Sequence, residues 1–182
     1  MHIIYVGEIA GNCRLNIEIT ATDQPVFLDV RVKNKKPAFF NIFIKNTGKN
    51  SEIRGHVLLE NYDDLTFDCI GQHTAPNTGI LIKTNILAGE KSKSKISGTG
   101  KIDKNCENCR SDIGFSAMCD ASARMEFRPA QYIESVPESA GHSAAIYRPG
   151  AMEIEFLRGG GLATAEVRAA LDEAFKNNFT LF

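Results

Sequence analysis

Hydrophobic and polar residues alternate along most of the first 70 residues, the period of two that is typical of half-buried strands. Turn-forming residues such as Asn, Asp and Pro separate the alternating segments, so strands recur every 11 to 14 residues, roughly. This spacing predicts a sandwich, a barrel or a β-solenoid, and no strict sequence repeat distinguishes among them. The apolar positions of these segments are Leu15, Ile17, Ile19, Val26, Leu28, Val30, Val32, Phe40, Ile42, Ile44, Val57, Leu59, Leu65, Phe67 and Cys69.

The pattern changes to a helical period near the C-terminus. Val167, Leu171, Ala174 and Phe175 fall on one face of a helix. Three glycines, residues 159–161, separate this helix from residues 151–157, which suit helix and strand equally well. If the strands form a stack, its last turn exposes unpaired backbone groups, and we expect the C-terminal helix to cover them.

Composition narrows the class of protein. At 182 residues the chain is expected to be one domain, and its net charge of -1 gives no reason to expect binding to nucleic acid or to a membrane. The N-terminus lacks the basic region of a signal peptide. Five cysteines without an export signal favour reduced thiols and a cytoplasmic location over a disulfide framework.

Turns and short strands continue through Gln72–Ile102, where Pro76 and several glycines exclude a helix. The residues in this stretch are, in order, His73, Ala75, Pro76 and Thr78, then a strand ending at Gly89, then a segment bracketed by Gly98. This order resembles the core domain of the SufB/SufD family. These proteins are scaffolds for iron–sulfur cluster assembly. The resemblance implies a right-handed parallel β-helix, which the alternation alone does not.

A second segment carries the resemblance near the C-terminus, where Phe156, Leu157, Arg158, Gly161 and Leu162 match a family segment that precedes the last helix. The resemblance implies a β-helix core over residues 1–149 and a helical segment over residues 150–182 within a single domain. In the family this segment docks on SufC, an ABC-type ATPase. The residues that would make that contact are Phe156, Leu157, Arg158, Leu162, Arg168, Leu171 and Phe175.

Cysteine spacing suggests one candidate metal site. Cys106 and Cys109 form a Cys-x-x-Cys pair that brings two thiolates within reach of one metal ion, and Cys119 downstream offers a third. Unliganded structural thiols are the alternative, because no second pair exists. Redox chemistry of the pair is a further alternative, although it normally needs a helix N-terminus and this stretch is typical of a turn.

The resemblance adds His142 as a cluster ligand beside Cys109, because family members carry a His followed by small residues at the SufB–SufD contact. A neutral imidazole is a good ligand for iron. SufB-like members also have a Cys after a Tyr-hydrophobic-Glu segment, but here Ser135 follows Tyr132, Ile133 and Glu134. A hydroxyl is a far poorer iron ligand, so the chain resembles SufD or a divergent partner more than a complete SufB-like scaffold.

No sequence motif for nucleophilic or phosphoryl-transfer catalysis is present. The sequence therefore predicts a non-enzymatic scaffold in iron–sulfur cluster assembly that acts with a SufC-like ATPase and holds a cluster transiently. We also expect a homodimer, or a heterodimer with a SufB/SufD-like protein. The alternative is a β-solenoid or β-sandwich binding module with no cluster role and with incidental thiols.

Overall fold

The computed structural model describes residues 1–177 and has a β-solenoid of about five turns, followed by two helices. All strand pairs are parallel, so the chain returns to the same side after each turn. The predicted β-helix architecture is therefore confirmed, and the segment 151–157 that suited both states is helical. The elements are β1 (His2–Ile19), β2 (Pro25–Asn46), β3 (Glu52–Asn61), β4 (Asp64–His73), β5 (Gly79–Ala88), β6 (Lys93–Ile102), β7 (Arg110–Cys119), β8 (Arg124–Ile133), β9 (Ser139–Tyr147), α1 (Ala151–Gly159) and α2 (Thr164–Asn177).

Two sheets form because β1 and β2 each bend midway and contribute to both. We call the sheet that contains residues 2–9, residues 25–34, β3, β5, β7 and β9 the front sheet. The back sheet contains residues 11–19, residues 38–46, β4, β6 and β8. One turn of the column, which we call a rung, consists of one strand from each sheet.

Apolar side chains at alternate positions of both sheets point inward and fill the space between them. Phe40 and Phe67 pack against each other on neighbouring rungs with ring centroids 5.6 Å apart, and the ring of Tyr5 lies 6.4 Å from that of Phe40. The inward positions are the apolar residues that the alternation predicts, and nearly all of them are fully buried. Close packing at these positions is the main source of stability in such a fold.

A ladder of side-chain amides connects the turns at one edge of the column. Asp23, Asn50, Asn77 and Asn108 all have positive φ, a conformation that Asn and Asp adopt more readily than other side chains. Each amide of Asn50, Asn77 and Asn108 donates to the equivalent oxygen one rung earlier, at 3.0, 3.1 and 3.2 Å. Equivalent turns therefore stack in register.

We expect Asn77→Ala to lower the free energy of unfolding by about 1–2 kcal/mol, because it removes two ladder hydrogen bonds and places alanine at a φ of 57°. Asn77→Gly loses the same bonds without the backbone strain, so its cost should be smaller. Urea unfolding of the two variants measures this difference. Equal costs for both would contradict a contribution from the backbone conformation.

A second ladder is buried inside the opposite edge. The amide of Asn34 donates to Asn61 at 2.7 Å, and the amide of Asn61 donates to the hydroxyl of Ser94 at 2.8 Å. All three side chains are buried. Buried polar groups are tolerated when they satisfy one another, so this network fixes which residues stack from one rung to the next.

The C-terminal helix does not cover the end of the column, so the prediction that it closes the stack is wrong. Helix α2 lies against the outer surface of the front sheet, where Arg168 bonds to Asp120 after β7 and Lys176 lies 3.5 Å from Glu60 in β3. The outward-facing residues Leu58, Leu87 and Met118 are buried, together with Val167 of α2. An apolar stripe on the front sheet thus binds the helix laterally.

Both ends of the column are open within residues 1–177. At one end β8 and β9 are largely exposed, including Ile133 and Ile146, and at the other end β1 exposes Ile4 and Val6. No helix in the same range is long and apolar enough to cross a membrane. The helical segment assigned to residues 150–182 is observed up to Asn177, and residues 178–182 lie outside the described part of the chain.

Candidate functional site

The Cys-x-x-Cys pair lies in the turn between β6 and β7. Cys106 and Cys109 are both buried and pack together with Ile102, apart from the main core. Burial raises the pKa of the Cys106 thiol, and the neighbouring Cys109 and Asp103 raise it further. Cys106 is therefore a neutral thiol at physiological pH and is not activated as a nucleophile.

Cys109 belongs to a buried chain of polar side chains. Its Sγ lies 3.2 Å from the Thr78 hydroxyl and 3.3 Å from the Ala75 carbonyl oxygen. The Thr78 hydroxyl lies 2.7 Å from Nδ1 of His73 and donates to the Ala75 carbonyl at 3.1 Å. A thiol, a hydroxyl and an imidazole are thus connected across two rungs.

His73 is fully buried in this network, and its Nε2 has no hydrogen-bond partner among the described residues. Burial lowers the pKa of His73 to about 4, which the charge of Asp103 only partly opposes. The imidazole is therefore neutral near pH 7, and its Nδ1 donates to the Thr78 hydroxyl, whose own proton goes to the Ala75 carbonyl. The arrangement is a rigid polar core for the turn.

Cys119 and His142 do not join this cluster. Cys119 ends β7, whereas Cys109 immediately precedes that ten-residue strand, so the two thiols are separated by about 30 Å at the usual rise per residue. His142 pairs in register with Ile113, several residues along β9 from the turn. The expectation that Cys106, Cys109 and Cys119 share one metal is not met, since Cys119 lies at the far end of the strand.

Within residues 1–177, no three His, Cys, Asp or Glu side chains lie where together they could hold a metal ion. Cys106 and Cys109 supply two adjacent donors, and both are enclosed. A resident iron or zinc centre with a full set of ligands from a single copy of the chain does not fit this arrangement. Any cluster bound here would need donors from a second molecule.

His142 lies on the last strand of the front sheet. Its register partner Ile113 points into the core, so His142 has the same inward direction. The imidazole is nevertheless exposed, because no further rung follows β9 within the described residues. Ser135 lies in the connection between β8 and β9, where Asn108 donates to the carbonyl of Val136 at 3.0 Å. Both residues are therefore on the terminal rung.

The residues predicted to bind an ATPase separate into two groups. Phe156 on α1 is 81% exposed, and Met152 beside it is 88% exposed. Arg158 is also exposed and pairs with Glu155 at 3.0 Å. Helix α1 therefore presents an apolar surface to solvent, which we call the α1 surface and define by Met152 and Phe156.

The remaining predicted contact residues face the column or are partly covered. Arg168 bonds to Asp120 and, at 2.7 Å, to Asp172. Its guanidinium therefore anchors α2 to the front sheet and is not available to a partner. The other residues of this group are partly buried, namely Leu157, Leu162, Leu171 and Phe175. Sequence periodicity identifies the helix face but does not distinguish packing on the chain itself from packing on a partner.

The polar network around His73 was not predicted as a unit. His73 and Thr78 belong to the turn on which the family resemblance depends, and Cys109 to the candidate metal site. Thr78 and Cys109 are 31 residues apart, the length of the rung that separates their strands, so register brings them together. Knowledge of the repeat length would have connected them.

No model of a known protein family matches this chain, and no curated protein shows significant similarity to it.

Proposed function

We propose that the chain is a non-enzymatic scaffold in iron–sulfur cluster assembly that acts in the cytoplasm with a SufC-like ATPase. One observation carries the proposal: the terminal rung combines a free strand edge, an accessible imidazole at His142 and, directly after it, the exposed α1 surface. Five free thiols suit a reducing compartment. The resemblance in the turn His73–Thr78 and in the segment Phe156–Leu162 supports the same assignment.

The free edge of β9 is suited to pairing with another β-strand. Ser139 donates its N–H to the carbonyl of Cys109, so alternate residues of β9 bond to β7. In a parallel ladder the residues between them direct their N–H and C=O groups to the other side. His142 and Ala144 therefore offer unpaired backbone groups, and we infer that a second SufB/SufD-like chain adds a strand there.

In this proposal an iron–sulfur cluster is a transient cargo held between two chains. His142 is the donor from this chain, and the remaining donors come from the partner. The arrangement agrees with the lack of a complete ligand set among residues 1–177 of one copy. It also assigns no ligand role to Cys119.

Anaerobic incubation with iron and sulfide tests the cargo. We expect visible absorbance in the protein-bound fraction only when a SufB/SufD-like partner is present, and a decrease of several-fold for His142→Ala. Cys119→Ser serves as the control and should retain the absorbance, because Cys119 lies at the far end of β7. Equal absorbance for wild type and His142→Ala would remove that residue from the site.

Binding to the ATPase tests the partner. We expect Phe156→Asp to weaken the affinity at least about tenfold, since a charge in the centre of an apolar contact is strongly unfavourable. Phe39→Asp, which changes an exposed phenylalanine on the back sheet, should leave the affinity unchanged. Calorimetry with purified ATPase provides the comparison, and unchanged binding of Phe156→Asp would exclude the α1 surface as the contact.

A binding or structural module without a cluster role is the second candidate. The separation of Cys106 and Cys109 from Cys119 and His142 favours it, because the donors do not converge in one chain. This candidate predicts no absorbance with any partner and no affinity for the ATPase. Both results together would replace the scaffold assignment.

A further inference from the structure

Within residues 1–177, no strand lies beside the outer edge of β1, the first strand of the column. Phe27 donates its N–H to the carbonyl of Met1, and Thr47 donates to that of Ile19, so odd-numbered residues at both ends of β1 bond to β2. The N–H and C=O groups of successive residues point to opposite sides of a strand. Those of the even-numbered residues therefore point away from β2, beyond the end of the column. Their side chains are exposed on the outer surfaces, as for Val6 and Arg14.

The same end of the column exposes part of the core. Ile3, Tyr5, Cys13 and Leu15 point inward and pack on the second rung, but they are only partly buried because nothing lies above them within residues 1–177. Unpaired backbone groups and an apolar surface therefore coincide at one site. This combination favours the addition of β-strands.

We propose that two copies of the chain associate head to head through β1. A two-fold axis that runs between the two sheets, parallel to the strands, places residues 2–9 of one copy beside residues 11–19 of the other. The two strands are then antiparallel, because the chain reverses direction between the two halves of β1. Each sheet of one copy continues into the opposite sheet of its partner.

Contacts across the core indicate the register. Phe115 stacks on Phe127 across the core with ring centroids 5.6 Å apart, as Tyr5 does on Phe40 at 6.4 Å. Phe127 and Phe40 occupy the same position in the back sheet as Cys13, and Phe115 the same position in the front sheet as Tyr5. Tyr5 therefore faces Cys13 across the core, and the two-fold axis brings Tyr5 of one copy beside Cys13 of the other.

In this register both the inward-facing and the outward-facing side chains of the two copies are complementary. Inward residues meet inward residues, with Ile3 beside Leu15 and Tyr5 beside Cys13. On the outer surfaces Ile4 lies opposite Arg14, and no like charges are opposed. Every directly opposed outward pair consists of even-numbered residues, which are the ones whose backbone groups are free.

The area is sufficient for a specific contact. Eight residues per strand and two sheets about 10 Å apart give an end of roughly 26 by 20 Å, so that roughly 1,000 Å² is buried in total. A specific interface needs about this much surface. Two antiparallel ladders add directional hydrogen bonds, which fix the orientation.

Proline on the free edge tests the proposal in the full chain. Val6→Pro removes an N–H that is not used within the chain, so folding should be retained while the ladder between copies is blocked. Ala144→Pro does the same on β9 and removes any association at the opposite end. The chain has a mass of 20.0 kDa, and we expect Ala144→Pro to form a dimer of about 40 kDa at ~100 μM by light scattering.

Adding Val6→Pro to this variant should give a monomer, whereas Val6→Ala in its place keeps the N–H and the dimer. A monomeric Ala144→Pro protein, or a dimer that persists with Val6→Pro, would overturn the proposal. Circular dichroism of each variant verifies the β-fold. The result is independent of the proposed cluster function, because that function depends on β9 and α1.

Cross-linking tests the register. Ile4 and Arg14 of opposing copies form a directly opposed pair, and within one copy they lie on opposite outer surfaces. In a Cys13→Ser background, Ile4→Cys together with Arg14→Cys should yield a covalent dimer on mild oxidation, and each single variant should not. A covalent dimer from the single Ile4→Cys variant would contradict this register.

Discussion

Phe40→Ala is expected to lower the free energy of unfolding by about 3–5 kcal/mol, the usual cost of removing a buried aromatic side chain. Phe40 is 1% exposed and packs between Tyr5 and Phe67, so its loss leaves a cavity that spans three rungs. Chemical unfolding followed by circular dichroism measures the change. The effect is large because Phe40 belongs to the main core, which is continuous from rung to rung.

The preceding residue provides a matched control. Phe39 has the same side chain but points outward on the back sheet and is 37% exposed. Phe39→Ala should cost about 1 kcal/mol, because only part of its surface leaves water on folding. Equal costs for the two variants would contradict the alternation that assigns Phe40 to the core.

Acid is expected to destabilise the protein through His73. Its pKa is about 4 in the folded chain against an ordinary value of 6.5, because burial disfavours the charged imidazole. Between these two values the unfolded chain binds a proton that the folded chain does not, so the free energy of unfolding decreases as the pH falls from 6.5 to 4. The loss attributable to His73 is about 3 kcal/mol once the pH is below both values.

Unfolding experiments at a series of pH values test this expectation. His73→Asn should be less stable near pH 7, because it perturbs the contact with Thr78, and it should lose most of the pH dependence between 6.5 and 4. Burial also lowers the pKa of His56, so His56→Asn should remove a separate contribution and retain that of His73. A slope that is unchanged in His73→Asn would show that other groups control the acid response.

The strands could be predicted from the sequence, because alternation specifies which side chains are buried. Val30 and Val32 point inward as predicted, as do Ile42 and Ile44. The pattern does not specify how strands are connected, since a sandwich and a solenoid share the period of two. The resemblance to the SufB/SufD family implies a solenoid, and the observed fold is a solenoid.

A repeat is nevertheless present in the sequence. Asp23, Asn50 and Asn77, the turn residues with positive φ, are spaced 27 residues apart, and Asn34 and Asn61 have the same spacing. The next turn residue, Asn108, follows after 31 residues, because the connection between β5 and β6 and the turn that contains Cys106 are each longer than their equivalents one rung earlier. The few shared residues and these insertions hide the period from a search for strict repeats.

The candidate site was less predictable because proximity in the sequence misleads in a solenoid. Cys109 and Cys119 are ten residues apart but lie at opposite ends of a strand, whereas Cys109 and Thr78 are 31 residues apart and in contact. Helix α2 shows a related limit. Its apolar face predicts burial, but the lateral position depends on outward-facing apolar residues of other strands, such as Leu87 and Met118, which are buried.

The regular stacking of asparagine turns makes the column a molecular ruler. Each rung adds about 4.8 Å along the axis, so five turns hold the two ends about 24 Å apart. Deleting or duplicating 27 residues between Asn50 and Asn77 would shorten or lengthen the spacer by one step while the neighbouring turns keep their hydrogen bonds. Evolution can therefore adjust the distance between two terminal surfaces without altering either one.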